Sequence, residues 1–184
     1  MKKFELTGEF VINIFGKKLF RIRALVAFGN VEAGELGGYV EKEENLSDAG
    51  DAWVSGNAWV SGDAQVFGDA RVSGDAWVFG DAWVYGNAQV FGNAWVSGNA
   101  RVSGDARVSG DADILQITGL GTVHRTTTVF RTPNGIRISC GCFYGDLDAF
   151  WAQVKNTRYG KVRREYLKFA ELVEIYFGED KEDD

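Results

Sequence analysis

From Asp51 onward the chain repeats one pattern of polar, small and apolar residues every six positions. Each unit reads (Asp/Asn)-Ala-x-Val-x-Gly, and the units begin at Asp51, Asn57, Asp63, Asp69, Asp75, Asp81, Asn87, Asn93, Asn99, Asp105 and Asp111 without a gap. Of these 11 hexads, ten carry Val in the fourth place and the last carries Ile114. A period of six does not match the 3.6-residue helical period. Unbroken self-similarity at a fixed short period is the signature of a solenoid, here a parallel β-helix. The β-branched Val suits a short strand and points inward. The Ala two residues earlier faces the same side, small enough for a corner. Gly followed by Asp or Asn makes the turn: Gly accepts positive φ, and the Asx side chain bonds to nearby backbone.

The pattern changes on either side of the repeats. A solenoid needs caps, because its end coils expose strand edges and core. Residues 1–37 supply the first, an N-terminal β cap. Phe10–Phe15 and Leu19–Leu25 are strand-like and join around Gly16-Lys17-Lys18 as a hairpin. Val40 and Leu46 keep the six-residue step, whereas Val54 follows eight residues later. That places a two-residue insertion at the corner Asp48-Ala49-Gly50, and the β-helix spans 38–116.

Residues 117–178 read as a C-terminal α+β module. Gly121–Thr132 and Ile136–Phe143 form a β-hairpin about Pro133-Asn134-Gly135. A helix follows, capped by Asp146, with Leu147, Phe150, Trp151 and Val154 on one face and Gly160 at its end. A second helix starts near Val162 and shows Tyr166, Phe169, Val173 and Tyr176. The acidic stretch 179–184 is expected to be disordered.

The repeats resemble the left-handed parallel β-helix of hexapeptide-repeat proteins, in which three hexads close one triangular coil. The resemblance rests on Val54, on Ala58 four residues later, and on their counterparts along 51–116. A right-handed coil is the alternative. A coil of three hexads places every eighteenth residue in one outward column, with members about 4.8 Å apart. One column is Trp59, Trp77, Trp95 and Asp113, with Phe79 on the same face. A second is Gln65, Trp83 and Arg101, joined by Phe67 and Tyr85. The third is Trp53, Arg71, Gln89 and Arg107. Trp59, Trp77, Phe79, Trp95, Trp83 and Tyr85 are thus the expected oligomer interface or stacking face, since such a ladder is too apolar to stand in water. Hexapeptide-repeat proteins commonly trimerise through flat faces of this kind, which implies a homotrimer. Stacking of planar ligands beside Arg71, Arg101 and Arg107 is the functional counterpart.

Charge sharpens the division. The chain carries a net −6, with 3 basic and 8 acidic side chains in 51–116 but 9 basic and 5 acidic in 117–178. An anion-binding surface therefore belongs to the C-terminal module, with Arg125, Arg131, Arg137, Lys161, Arg163 and Arg164 as candidates. No duplex nucleic acid is expected as a partner. No apolar run reaches transmembrane length, the opening residues lack a signal-peptide core, and the cysteines are only Cys140 and Cys142. A cytoplasmic protein without membrane contact is expected.

Catalytic and metal chemistry find little support. Cys140, Cys142 and His124 are one ligand short of a closed zinc site, so neither metal nor cofactor is expected. Acyltransferases of the hexapeptide class use a His and an extruded loop. Here the one His, His124, lies beyond the repeats, and the repeats extrude nothing. No Ser-His-Asp set stands out.

Across nearly its full length the chain resembles uncharacterised proteins of tailed phages and prophages of gut bacteria. The resemblance lies in Phe4-Glu5-Leu6-Thr7, Arg21-Ile22-Arg23-Ala24-Leu25, Gly34–Glu41, the repeats and Gly141-Cys142-Phe143-Tyr144-Gly145. It implies a source and no mechanism. The expected function is a non-enzymatic binding protein that sequesters a ligand or inhibits a host partner. Counter-defence is the setting, with a nucleotide signal or a host defence protein as target. A virion or assembly scaffold and a hexapeptide-repeat acyltransferase are the alternatives.

Overall fold

A computed structural model describes residues 2–178; the acidic stretch 179–184 lies outside the described residues. The fold is mainly β, a parallel β-solenoid of about four turns followed by an antiparallel sheet and two helices. The N-terminal cap comprises β1 (Phe4–Ile12), β2 (Lys18–Ala24) and β3 (Leu36–Val40). Ten two-residue strands follow, one per hexad: β4 (Trp53–Val54), β5 (Trp59–Val60), β6 (Gln65–Val66), β7 (Arg71–Val72), β8 (Trp77–Val78), β9 (Trp83–Val84), β10 (Gln89–Val90), β11 (Trp95–Val96), β12 (Arg101–Val102) and β13 (Arg107–Val108).

These strands stack in three parallel faces: β3-β5-β8-β11, β4-β7-β10-β13 and β6-β9-β12. Partners such as Trp59 and Trp77 lie 18 residues apart, so three hexads make one coil. Tyr39 pairs with Trp59 and Leu46 with Val66, 20 residues apart in both cases. The two extra residues fall between Leu46 and Trp53. Inward Val and Ala from every hexad up to Val108 are fully buried and form one continuous core. At Gly74, φ is +69° and a Cβ would stand 2.9 Å from the backbone nitrogen of Gly92 in the next coil. The corner column is therefore closed to side chains twice over, by conformation and by space.

The hydrogen-bond ladder runs one way. Each coil's N–H groups donate to carbonyls of the following coil, as in Trp59 to Ala76 and Trp77 to Ala94, both at 2.9 Å. The first coil thus has carbonyls without a strand partner at two corners, and side chains fill the gap. The Lys3 ammonium donates to Gly50 and Ala52 carbonyls. The Asn45 amide donates to Gly62 and Ala64 carbonyls.

The eleventh hexad departs from expectation. Gly110 is extended at φ −169°, where the earlier corner glycines are left-handed, so the coil ends there; Asp111–Asp113 forms a single 3-10 turn and Ile114 begins a long strand. The module after it is a four-stranded antiparallel sheet rather than a hairpin: β14 (Ile114–Leu120), β15 (Arg125–Thr132), β16 (Gly135–Cys140) and β17 (Phe143–Gly145), in that order. Central strand β15 is buried on both sides along Thr127–Phe130. Phe130 closes the solenoid core, while Val129 packs into a second core with α1 (Leu147–Thr157) and α2 (Gly160–Phe177). Asp146 caps α1, accepting from the Ala149 N–H at 2.9 Å. On α2, Phe177 turns inward; the expected Tyr176 is exposed and its hydroxyl donates to the Asp111 carbonyl.

Tyr166 in this second core gives a pH test. Burial, then the adjacent Cys140 thiol, pushes its phenol up to about 12. The folded value exceeds the unfolded one, so the neutral phenol's contribution is whole below pH ~10 and fades as pH rises through the folded value. Alkaline titration should show a tyrosinate that ionises only as the module loosens, and Tyr166→Phe should remove that part of the alkaline loss of stability. A Tyr166 that titrates with the exposed tyrosines in the intact fold would refute this.

Candidate functional site

Two surfaces stand out. The first is the β3-β5-β8-β11 face. In-register pairing stacks Trp59 on Trp77 with ring centroids 4.6 Å apart, and Trp77 on Trp95 at 4.8 Å, the rings within 17° of parallel. Phe79 meets Trp95 edge-on at 6.2 Å. Trp59 and Trp77 are half-buried by this stacking, and Trp95 is 45% exposed. Tyr39 and Arg21 extend the row toward the cap, with the guanidinium 5.5 Å from the Tyr39 ring and paired to Glu9. Phe15, itself exposed, reaches Phe79 from the β1–β2 turn. Asp113, the expected last member of the column, lies off it in the 3-10 turn and pairs with Arg131 at 3.3 Å.

The second surface is the end of the β6-β9-β12 face. Arg101 lies directly over Trp83, its guanidinium 4.9 Å from the ring. Behind them Phe67 stacks on Tyr85 at 4.9 Å and meets Trp83 edge-on. The Arg101 N–H, lacking a next coil, donates to the Thr128 hydroxyl of β15 at 3.3 Å. Between this end and the overhanging β14–β15 loop opens a cleft of about 620 Å³. Asp81, Trp83, Asn99 and Arg101 line it from the rod; His124, Arg125 and Cys142 line it from the module. Trp83 is 38% exposed.

The loop that forms the far wall is held in a costly conformation. His124 has φ +48°, and among the described residues no other non-glycine has a positive φ. A left-handed residue of this kind costs about 1–2 kcal/mol, and such strain clusters at sites of function. Its Nδ1 lies 3.2 Å from the Gly119 carbonyl. Arg125 crosses over Gly141, which has φ +62° and where a Cβ would displace the guanidinium.

The other sequence candidates are dispersed. Arg125 and Arg131 stand at opposite ends of β15, six strand residues or about 20 Å apart. Arg131 is engaged by Asp113 and lies 5.3 Å from the Phe177 ring. Arg137 donates to the Ile136 carbonyl, Lys161 pairs with Glu165 on α2 at 3.5 Å, and Arg163 and Arg164 follow on that helix. Arg125 and Arg131 therefore do not share one site, and Arg131, Arg137 and Lys161 are each engaged by a local partner. Trp53 is also not outward as its column implies. It is 2% exposed beneath Phe28, whose ring meets it edge-on at 5.4 Å. Cys140 and Cys142 are both free thiols.

Asp81, Asn99 and His124 were missed as site residues. Asp81 and Asn99 are corner residues that the repeat itself demands, so only their place two residues before Trp83 and Arg101 could have marked them. His124 carried no periodic signal.

The sequence profile of the YdcK beta-solenoid repeat matches residues 64–80, 88–102 and 100–112. The chain is similar to that repeat family over the coil alone, and the match stops short of the module that forms half the cleft. No curated protein matches the chain.

Proposed function

We propose that this chain is a non-enzymatic binding protein that works as a homotrimer and sequesters a ligand. The observation that carries the reading is the cleft where the repeat ends. It joins a half-exposed aromatic ring, two arginines and hydrogen-bonding side chains in a volume suited to a small ligand. Trp83, Arg101 and Arg125 hold and orient a ligand by stacking and charge. The trimer is supported by the stacked Trp59–Trp77–Trp95 face, continued by Phe79 and by the exposed Phe15, a contiguous aromatic surface of the kind that marks an interface. Its geometry suits a threefold packing of left-handed coils, as the hexapeptide resemblance implies.

Among the described residues no helix is long and apolar enough to cross a membrane. With the phage-protein resemblance, we place the protein in the cytoplasm of an infected bacterium. There it removes a nucleotide signal or occupies a host defence protein. The test has two parts. Sedimentation equilibrium should give three times the 20.2 kDa monomer mass, and a monomer at micromolar concentration refutes the trimer. A heat-stable small-molecule extract of bacteria should raise the melting temperature of purified protein, and no shift refutes ligand sequestration.

One observation favours a second reading. His124 lines the cleft, and hexapeptide acyltransferases use a His. If acyl-donor turnover appears and His124→Ala abolishes it, the protein is an enzyme and the sequestration reading falls.

A further inference from the structure

We infer that the cleft at the end of the Gln65–Trp83–Arg101 column binds a nucleoside phosphate, its base stacked on Arg101 as the next rung. This rests on the binding-protein reading and gives that site a ligand class. The first support is the column itself. On the Trp59 face, planar groups repeat at 4.6 and 4.8 Å, one per coil. On the third face the series runs Gln65, Trp83, Arg101 and then stops. Gly119, 18 residues beyond Arg101, has left the coil on β14. The guanidinium of Arg101 lies over Trp83, 4.9 Å from the ring, and also lines the cleft, where the next stacked group would sit. Guanidinium planes and aromatic rings both stack on nucleobases.

The second support is charge. Neither Arg101 nor Arg125 forms an ion pair among the described residues. Arg125 reaches the cleft from the opposite wall, held over Gly141. A phosphate there gains charge-assisted, bidentate bonds. Asp81 and Asn99 lie on the rod side, where a carboxylate repels phosphate but accepts from ribose hydroxyls or exocyclic amines. The polarity of the cleft thus fixes an orientation: base on Arg101, sugar toward Asp81 and Asn99, phosphate on Arg125.

The test is calorimetric titration of the full chain with AMP, GMP, CMP and UMP, with adenosine and inorganic phosphate as partial ligands. At least one monophosphate should bind and quench tryptophan fluorescence. Removing the charge with Arg125→Gln should cost it about tenfold or more in affinity while leaving adenosine binding unchanged. Arg125→Lys should recover part of the loss. Arg101→Gln should weaken both AMP and adenosine, and Trp95→Ala, on another face, neither. Variants are compared first by circular dichroism and melting. Monophosphates that bind no better than phosphate alone, or an Arg125→Gln protein that binds like the parent, overturn the inference. If monophosphates fail while the small-molecule extract still stabilises the parent but not Trp83→Ala/Arg125→Gln, the cleft binds another ligand class and the binding-protein reading survives. If the extract fails too, both fall.

Discussion

Replacing Asn45 with leucine should lower the free energy of unfolding by about 2–4 kcal/mol, read from urea titration of the parent and variant. Leucine keeps asparagine's branching with bulkier methyls in place of the planar amide, so the loss is chiefly one of hydrogen bonds, with some crowding added. The Asn45 side chain is wholly buried. Its amide donates to the Gly62 carbonyl at 3.0 Å and the Ala64 carbonyl at 2.8 Å, and its oxygen accepts from the Lys42 N–H at 2.9 Å. In a one-way ladder, the first coil's carbonyls at this corner have no strand before them. The Asn45→Leu protein would leave two buried acceptors and one donor without partners, each costing about 1–3 kcal/mol when water cannot reach it. Neighbouring water access at the rod end keeps the total below the full sum. Asn57 is the matched control. Its amide also bonds across coils, to Asp75 at 3.1 Å, but on the exposed corner, so Asn57→Leu should change stability by no more than about 0.5 kcal/mol. Equal effects at the two positions would show that the end of the ladder needs no such cap. Lys3 does the same work at another corner. Burial lowers the pKa of its ammonium, which shows the cost of holding a cation over the Gly50 and Ala52 carbonyls.

The coil was legible because the restraint is repeated. Ala, Val, Gly and Asx recur at fixed places in ten successive rungs, so any error at one rung is overruled by the others, and step-18 arithmetic placed Trp83 beneath Arg101 and Trp59, Trp77 and Trp95 in one stack. Where the repeat ends, that averaging ends with it. The eleventh hexad matches its predecessors at Asp111, Ala112 and Ile114, and only Gln116 in the corner place tells that the chain will peel away into β14. The burial of Trp53 had almost no local sign: its hexad differs from that of Trp59 only in Asp51 for Asn57, and the difference in burial is made by Phe28, 25 residues earlier. The cleft was half legible. Its rod wall follows from columns, whereas Arg125 and His124 come to it through the register of β14 on β15, which hydrophobic spacing in a Thr- and Arg-rich strand does not set.

If the proposed trimer packs on this face, the double variant Trp77→Glu/Trp95→Glu should convert it to a monomer while leaving the rod folded. Both positions are outward members of in-register strands, and the inward Val78 and Val96 beside them are fully buried and untouched. What the variant loses within the chain is ring stacking, about 0.5–1.5 kcal/mol per pair beyond area, which lowers melting modestly without opening the core. What it loses between chains is larger. Two carboxylates on adjacent rungs lie about 4.8 Å apart, and a threefold interface would gather six of them out of water. Each ion buried without a partner costs several kcal/mol, more than a trimer at micromolar concentration can absorb. Sedimentation equilibrium should therefore fall from three monomer masses to one, with circular dichroism unchanged. The proposed ligand binding at Arg101 and Arg125 should persist, because the β6-β9-β12 face is separate from the β3-β5-β8-β11 face. A variant that still sediments as a trimer would place the interface elsewhere and leave the tryptophan ladder to a different partner.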